Sequence, residues 1–134
     1  MFTLNIVGVQ RRKSLYERLG GYDSIAAFVV EWVALQRADP RFARFSGGRG
    51  TDKKMRDVQL NIDAFCQATG GSNYYMGRDL KQAHMGLNIN NEEWAASVKY
   101  MEEAMVKCGI REAERKEFLE LMETMRDDIV ENHS

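Results

Sequence analysis

Proline occurs once in the 134 residues, at position 40, and this scarcity constrains the fold more than any other feature. Its ring fixes φ and removes an N–H, so proline is the usual interruption of long helices. Period-two alternation of useful length occurs only in the N-terminal FTLNIVGV, residues 2–9. Elsewhere apolar residues recur at steps of three and four. The chain is therefore expected to be all-α, with about five or six helices.

Ser14 and Glu17 make an S-x-x-E capping pattern for a short helix that stops at Gly20-Gly21. Asp23 or Ser24 is expected to open a second helix through Ala38. Its Ile25, Phe28, Val29, Trp32, Val33 and Leu35 cover an arc wide enough for contact on more than one side. Asp39-Pro40 turns the chain, 41–45 reads as a further short helical turn, and SGGRGT at 46–51 as a loop. Asp52 is expected to cap a third helix reaching about Thr69, with Met55, Val58, Ile62, Phe65 and Cys66 as its inner stripe. Gly70-Gly71 ends it. SNYYMG at 72–77 leads into a short helix from 78 to about 85. A polar turn at 88–91 precedes a long helix carrying Trp94, Val98, Met101 and Met105, closed by Gly109. A last helix is expected over about 112–131, with Phe118, Leu121, Met122, Met125 and Ile129 facing inward. A plain up-and-down bundle joins long helices by short loops. The short helix after an irregular stretch departs from that plan, contributes little packing of its own, and suits the presentation of a side chain.

Composition removes several classes of function. Nineteen Lys and Arg almost balance twenty Asp and Glu, for a net charge of −1, which argues against a dedicated nucleic-acid binder. No apolar run approaches the roughly 20 residues needed to cross a bilayer. Cys66 and Cys108 are too few for a disulfide scaffold or a thiolate zinc site, so a reduced thiol pair in the cytoplasm is expected. In residues 1–13 the basic Arg11, Arg12 and Lys13 follow the apolar stretch, the reverse of a secretory signal. That segment reads as an extension outside a single domain spanning 14–134.

The two histidines are His84 and His133, and the second is penultimate, where chain ends fray. His84, near the end of the short helix, is the imidazole that a fixed site would use. A hydrogen-bonded structural histidine is the other reading. Mononuclear zinc would need several converging ligands, and no G-x-S-x-G or comparable nucleophile turn is present. One histidine suffices for a single axial ligand to haem iron, where the macrocycle supplies four nitrogens.

LYERLGG at 15–21, DPRF at 39–42, G-G-x-x-x-Y-x-G-R at 70–78, AH at 83–84 and GLNI at 86–89 together resemble a truncated haemoglobin of group I. The resemblance runs from about residue 14 to 131. It implies a two-over-two helical sandwich around haem b, with His84 as proximal ligand to iron. Its neutral ring nitrogen would donate a lone pair, and its other N–H would be oriented by a hydrogen bond whose partner the sequence does not name. Tyr75, Gly77 and Arg78 match the segment before the proximal helix, near a haem edge. Arg78, and secondarily Lys81, are propionate partners on this reading, since a guanidinium fork suits a carboxylate; a solvated surface arginine is the alternative. Phe45 matches the aromatic that packs on the haem face, and Phe65 an aromatic lining the distal side. Both are equally compatible with core packing.

On the distal side the chain departs from the family. Val33 falls where a ligand-stabilising tyrosine is common, and Asp57, Leu60 and Asn61 fall where the third helix faces haem. No histidine stands among them, so bis-histidine coordination is excluded. Asn61 can donate a hydrogen bond to bound dioxygen, whereas Asp57 can do so only when protonated. Gln59 and Trp32 are rival donors for a register slipped by one turn. Lys53, Lys54 and Met55 are sixth-ligand alternatives, with a solvated lysine pair as the plainer reading.

The resemblance thus implies reversible binding of oxygen, carbon monoxide or nitric oxide, in storage or transport. Nitric oxide oxidation is an alternative that needs an external reductase. A haem-free helical interaction domain is the reading from another class, and peroxidase-like chemistry would have only Asp57 as a distal acid–base group.

Overall fold

The computed structural model describes residues 13–46, 50–73 and 75–133. The expected N-terminal extension lies outside them except for Lys13, as does the alternating segment 2–9. Eight α-helices are found among the described residues: α1 Leu15–Leu19, α2 Gly21–Ala38, α3 Ala43–Ser46, α4 Thr51–Ala68, α5 Leu80–His84, α6 Asn91–Lys107, α7 Glu112–Glu123 and α8 Arg126–Ile129. A 3₁₀ turn, Pro40–Phe42, joins α2 to α3. No strand occurs among them, and residues 90 and 132 meet in an isolated bridge.

Local chemistry sets most boundaries. Ser14 and Glu17 form the expected capping box on α1, and Asn90 and Glu93 form another on α6. Gly20, at φ 107°, ends α1 and begins α2 directly, so neither Asp23 nor Ser24 caps. Gly50, not Asp52, is the N-cap of α4 and gives no side-chain bond. The last helix is shorter than expected. After Glu123 the Thr124 hydroxyl donates to the Leu121 carbonyl at 2.6 Å, and the Thr124 and Met125 amides bond three residues back. The turn tightens, and the chain beyond α8 is drawn to Ile89, whose carbonyl accepts from the 131 and 132 amides at 3.0 and 3.1 Å.

The long helix α2 packs on both α4 and α6, and α7 lies against α6 and α1. Their common core holds Ile25, Phe28, Val29, Cys66, Met101, Met105 and Phe118, all fully enclosed. Phe118 meets Phe28 edge-on at 5.4 Å and Phe65 at 5.1 Å, while Trp32 stands edge-on to Phe65 at 5.5 Å. These aromatic contacts tie α2, α4 and α7 together. Burial pushes the Cys66 thiol up to about 11, so it stays protonated at neutral pH. Met55 is the exception on the predicted stripe of α4, being 65% exposed.

The end of α4 and the start of α1 come very close. The Tyr16 amide donates to the Thr69 carbonyl at 2.8 Å. A Cβ on Gly71 would lie 2.7 Å from the Tyr16 ring and 2.9 Å from the Cys66 carbonyl oxygen. Glycine is required there by close approach.

Candidate functional site

The short helix α5 has five residues and no buried side chain. Asp79 caps it by accepting from the Gln82 amide at 2.8 Å. A helix this short is not stable on its own hydrogen bonds, so tertiary ties must place it. His84 is its last residue and is half-buried, with Nδ1 2.8 Å from the Leu80 carbonyl oxygen. A carbonyl can only accept, so Nδ1 carries the proton and Nε2 keeps its lone pair. This is the orienting partner that the sequence left unnamed: the carbonyl four residues back. An imidazole so arranged is chemically ready to ligate a metal through Nε2. Among the described residues, no group of three or more His, Cys, Asp or Glu could hold a metal by itself. The donor set therefore fits an iron whose remaining ligands would arrive with a macrocycle.

Before α5, Tyr75 folds back over its own turn, and its hydroxyl donates to the Arg78 carbonyl at 2.6 Å. Its ring covers Gly77, where a Cβ would lie 2.3 Å from the hydroxyl oxygen. The Y-x-G-R fragment is thus a self-bonded turn ahead of Asp79. Arg78 and Lys81 are exposed, and no ion pair ties either to a described residue, which leaves both heads in solvent.

Beyond α5, residues 85–90 are gripped by side chains from remote elements. Glu131 accepts from the Gly86 amide at 3.0 and 3.1 Å and from the Asn88 amide at 2.8 Å. These amides hold its carboxyl below the usual glutamate value. Arg44 of α3 donates to the Leu87 and Asn88 carbonyls at 2.6 and 3.3 Å. The same guanidinium makes a bidentate pair with buried Glu93 at 2.6 and 2.9 Å and stacks 4.1 Å from the Phe45 ring centre. Sequence reasoning missed Arg44, Glu93 and Glu131. Glu93 alone left a trace, as the third residue after Asn90 in a capping box.

On α4 the buried Ile62, Phe65 and Cys66 adjoin a second, half-buried face containing Asp57, Leu60 and Asn61. The helical period of 3.6 brings those three together. One amide N–H of Asn61 donates to the Asp57 carbonyl at 2.9 Å, and a primary amide has a second to give. The rival donors are committed elsewhere. Trp32 gives its indole N–H to the Ser97 carbonyl at 2.9 Å, and Gln59 donates to the Tyr22 hydroxyl and Asp63 at 3.1 and 3.0 Å. Val33 is half-buried against the core, and Phe65 belongs to the aromatic cluster. Phe45 is half-buried beside Phe42 at 6.0 Å. Lys53 and Met55 are exposed.

Long helices packed around one aromatic core, with a brief helix carrying a single oriented imidazole outside it, are the plan of a globin in shortened, two-over-two form. The sequence model of the bacterial-like globin family matches residues 14–131. A group 1 truncated haemoglobin of Tetrahymena pyriformis is 26% identical over 122 residues, covering 91% of this chain and 98% of that protein. The crystal structure of truncated haemoglobin from the same organism, in its Fe(III) form, superposes with a TM-score of 0.80 at 25% identity, over 88% of this chain and 98% of that one. The 2/2 haemoglobin of Synechococcus, solved in the cyanomet state with covalently attached haem, shares the fold with a TM-score of 0.78 at 21% identity, covering 88% and 98%. The chain belongs to the bacterial-like globin family, as a truncated haemoglobin of group I. Haem binding and a diatomic gas ligand come with that membership. No described helix is long and apolar enough to span a membrane.

Proposed function

We propose that the protein binds haem b through Nε2 of His84 and reversibly takes up oxygen or another diatomic gas, in storage or transport. The observation that carries this reading is the His84 hydrogen bond to the Leu80 carbonyl, which fixes the tautomer a neutral iron ligand needs. Bound haem supplies an iron with an open coordination position for the gas. The chain supplies the rest. The Phe45 ring offers a flat apolar surface for the macrocycle, held in place by Arg44. Arg78, just before α5, and Lys81, within it, are solvent-facing cations suited to propionate carboxylates. On the distal face Asn61 keeps one N–H for a partly negative ligand, while Leu60 and Val33 are apolar. Asp57 is acceptor-only when ionised. A single neutral amide donor holds bound oxygen less firmly than a charge-assisted network would. Free thiols at Cys66 and Cys108 suit a reducing, cytoplasmic setting.

Absorption spectra of ferric, ferrous and carbonyl forms test the reading directly. The purified protein is expected to show an intense Soret band, which His84→Ala weakens or abolishes. A well-folded protein that takes up no haem would overturn it, leaving a helical interaction domain.

A further inference from the structure

We propose that Glu131 is a positioning residue for His84: its carboxylate, opposed by the Arg44 guanidinium, locks the 85–90 loop and through it the bearing of the imidazole. The inference rests on the reading of His84 as the iron ligand. The helix α5 buries no side chain and is too short to hold itself, so its orientation is set by its packing on α8, just ahead of Glu131, and by what flanks it. On the C-terminal side that flank is unusual. Gly86 and Asn88 both take positive φ, 87° and 53°, a conformation uncommon outside glycine that asparagine tolerates, and remote side chains fix it here. The enforcement comes from two charges of opposite sign on the same stretch of backbone. Amides 86 and 88 converge on the Glu131 carboxylate, a backbone concavity that favours an anion. Carbonyls 87 and 88 point to Arg44. The peptide groups around Asn88 are thus held from both sides, and the Leu87 amide returns to the His84 carbonyl at 3.2 Å. Because Nδ1 is bound to Leu80 within the same helix, the ring turns with α5, and α5 turns with the loop.

Glu131→Ala, Glu131→Gln and a control, Glu117→Ala, are compared with the unaltered protein after haem loading. Glu117 pairs with Arg18 between α1 and α7, so its loss reports general destabilisation. The readouts are the ferrous iron–histidine stretch by resonance Raman and haem loss to an excess of apomyoglobin. Glu131→Ala is expected to shift or broaden the iron–histidine band and to speed haem loss about tenfold, the effect of losing charge-assisted hydrogen bonds. Glu131→Gln, whose amide oxygen still accepts, falls between. Glu117→Ala leaves the band in place. An unshifted band in both Glu131 variants overturns the proposal, and so does an equal shift in Glu117→Ala. A band that survives His84→Ala instead overturns the iron-ligand reading, and the positioning role with it.

Discussion

A methyl group at Gly77 would stand 2.3 Å from the Tyr75 hydroxyl oxygen and 2.5 Å from Cζ, far inside van der Waals contact. The ring would have to swing away and give up its bond to the Arg78 carbonyl. Gly77→Ala is therefore expected to cost about 0.5–1.5 kcal/mol in urea unfolding, the worth of one such hydrogen bond. Tyr75→Phe should cost a similar amount. Combined, the two should add little to either alone, because both remove the same interaction. The residue types of this turn were legible in the sequence, but the bond was not, since any nearby carbonyl could have accepted the phenol. Trp32 shows the same limit: its place on an apolar helix face was readable, yet its N–H partner, Ser97, lies on another helix.

Among the elements, the junction of α2 with the 3₁₀ turn depends on Asp39. Its carboxylate accepts from the Arg41 amide at 2.9 Å, from the Arg41 guanidinium at 2.7 Å and from the Tyr100 hydroxyl at 2.5 Å. These bonds, led by the guanidinium, hold its carboxyl far below the ordinary value of 3.8. A depressed folded-state value means that the stabilisation is complete above the unfolded value and is lost as pH falls towards the folded one. Asp39→Asn should thus be less stable at neutral pH. Its urea midpoint should also fall less steeply than that of the unaltered protein below about pH 4. DPRF was visible in the sequence, and its turn was expected from Asp39-Pro40. The capping box at Ser14 was similarly accessible, and the polar turn at 88–91 announced the start of α6, whereas the expected caps of α2 and α4 gave way to Gly20 and Gly50. The break after Glu123 was not accessible, because it depends on Ile89 receiving the 131 and 132 amides, a contact made across more than forty positions.

For the molecule as a whole, Phe118 is the point where three helices meet. It is fully buried against Phe28 of α2 and Phe65 of α4. Phe118→Ala is expected to lower unfolding free energy by about 3–5 kcal/mol, the range for emptying a large aromatic site, as measured by urea denaturation of the haem-free protein. A large share of marginal domain stability would go with it. The inner faces of α2, α4 and α6 were evident from helical spacing. The second tier of the candidate site was hidden for a different reason: Arg44 and Glu131 have the composition of ordinary surface charges, and folding gives them backbone partners that no local pattern specifies.

Arg18 of α1 is anchored to Glu114 and Glu117, 96 and 99 positions later. During synthesis on a ribosome, at about 5–20 residues per second, α1 must wait several seconds for the α7 part of its docking surface, whereas α2 and the end of α4 are made sooner. Docking of α1 on α7 is thus among the last steps of vectorial folding, although α1 is made long before its partner.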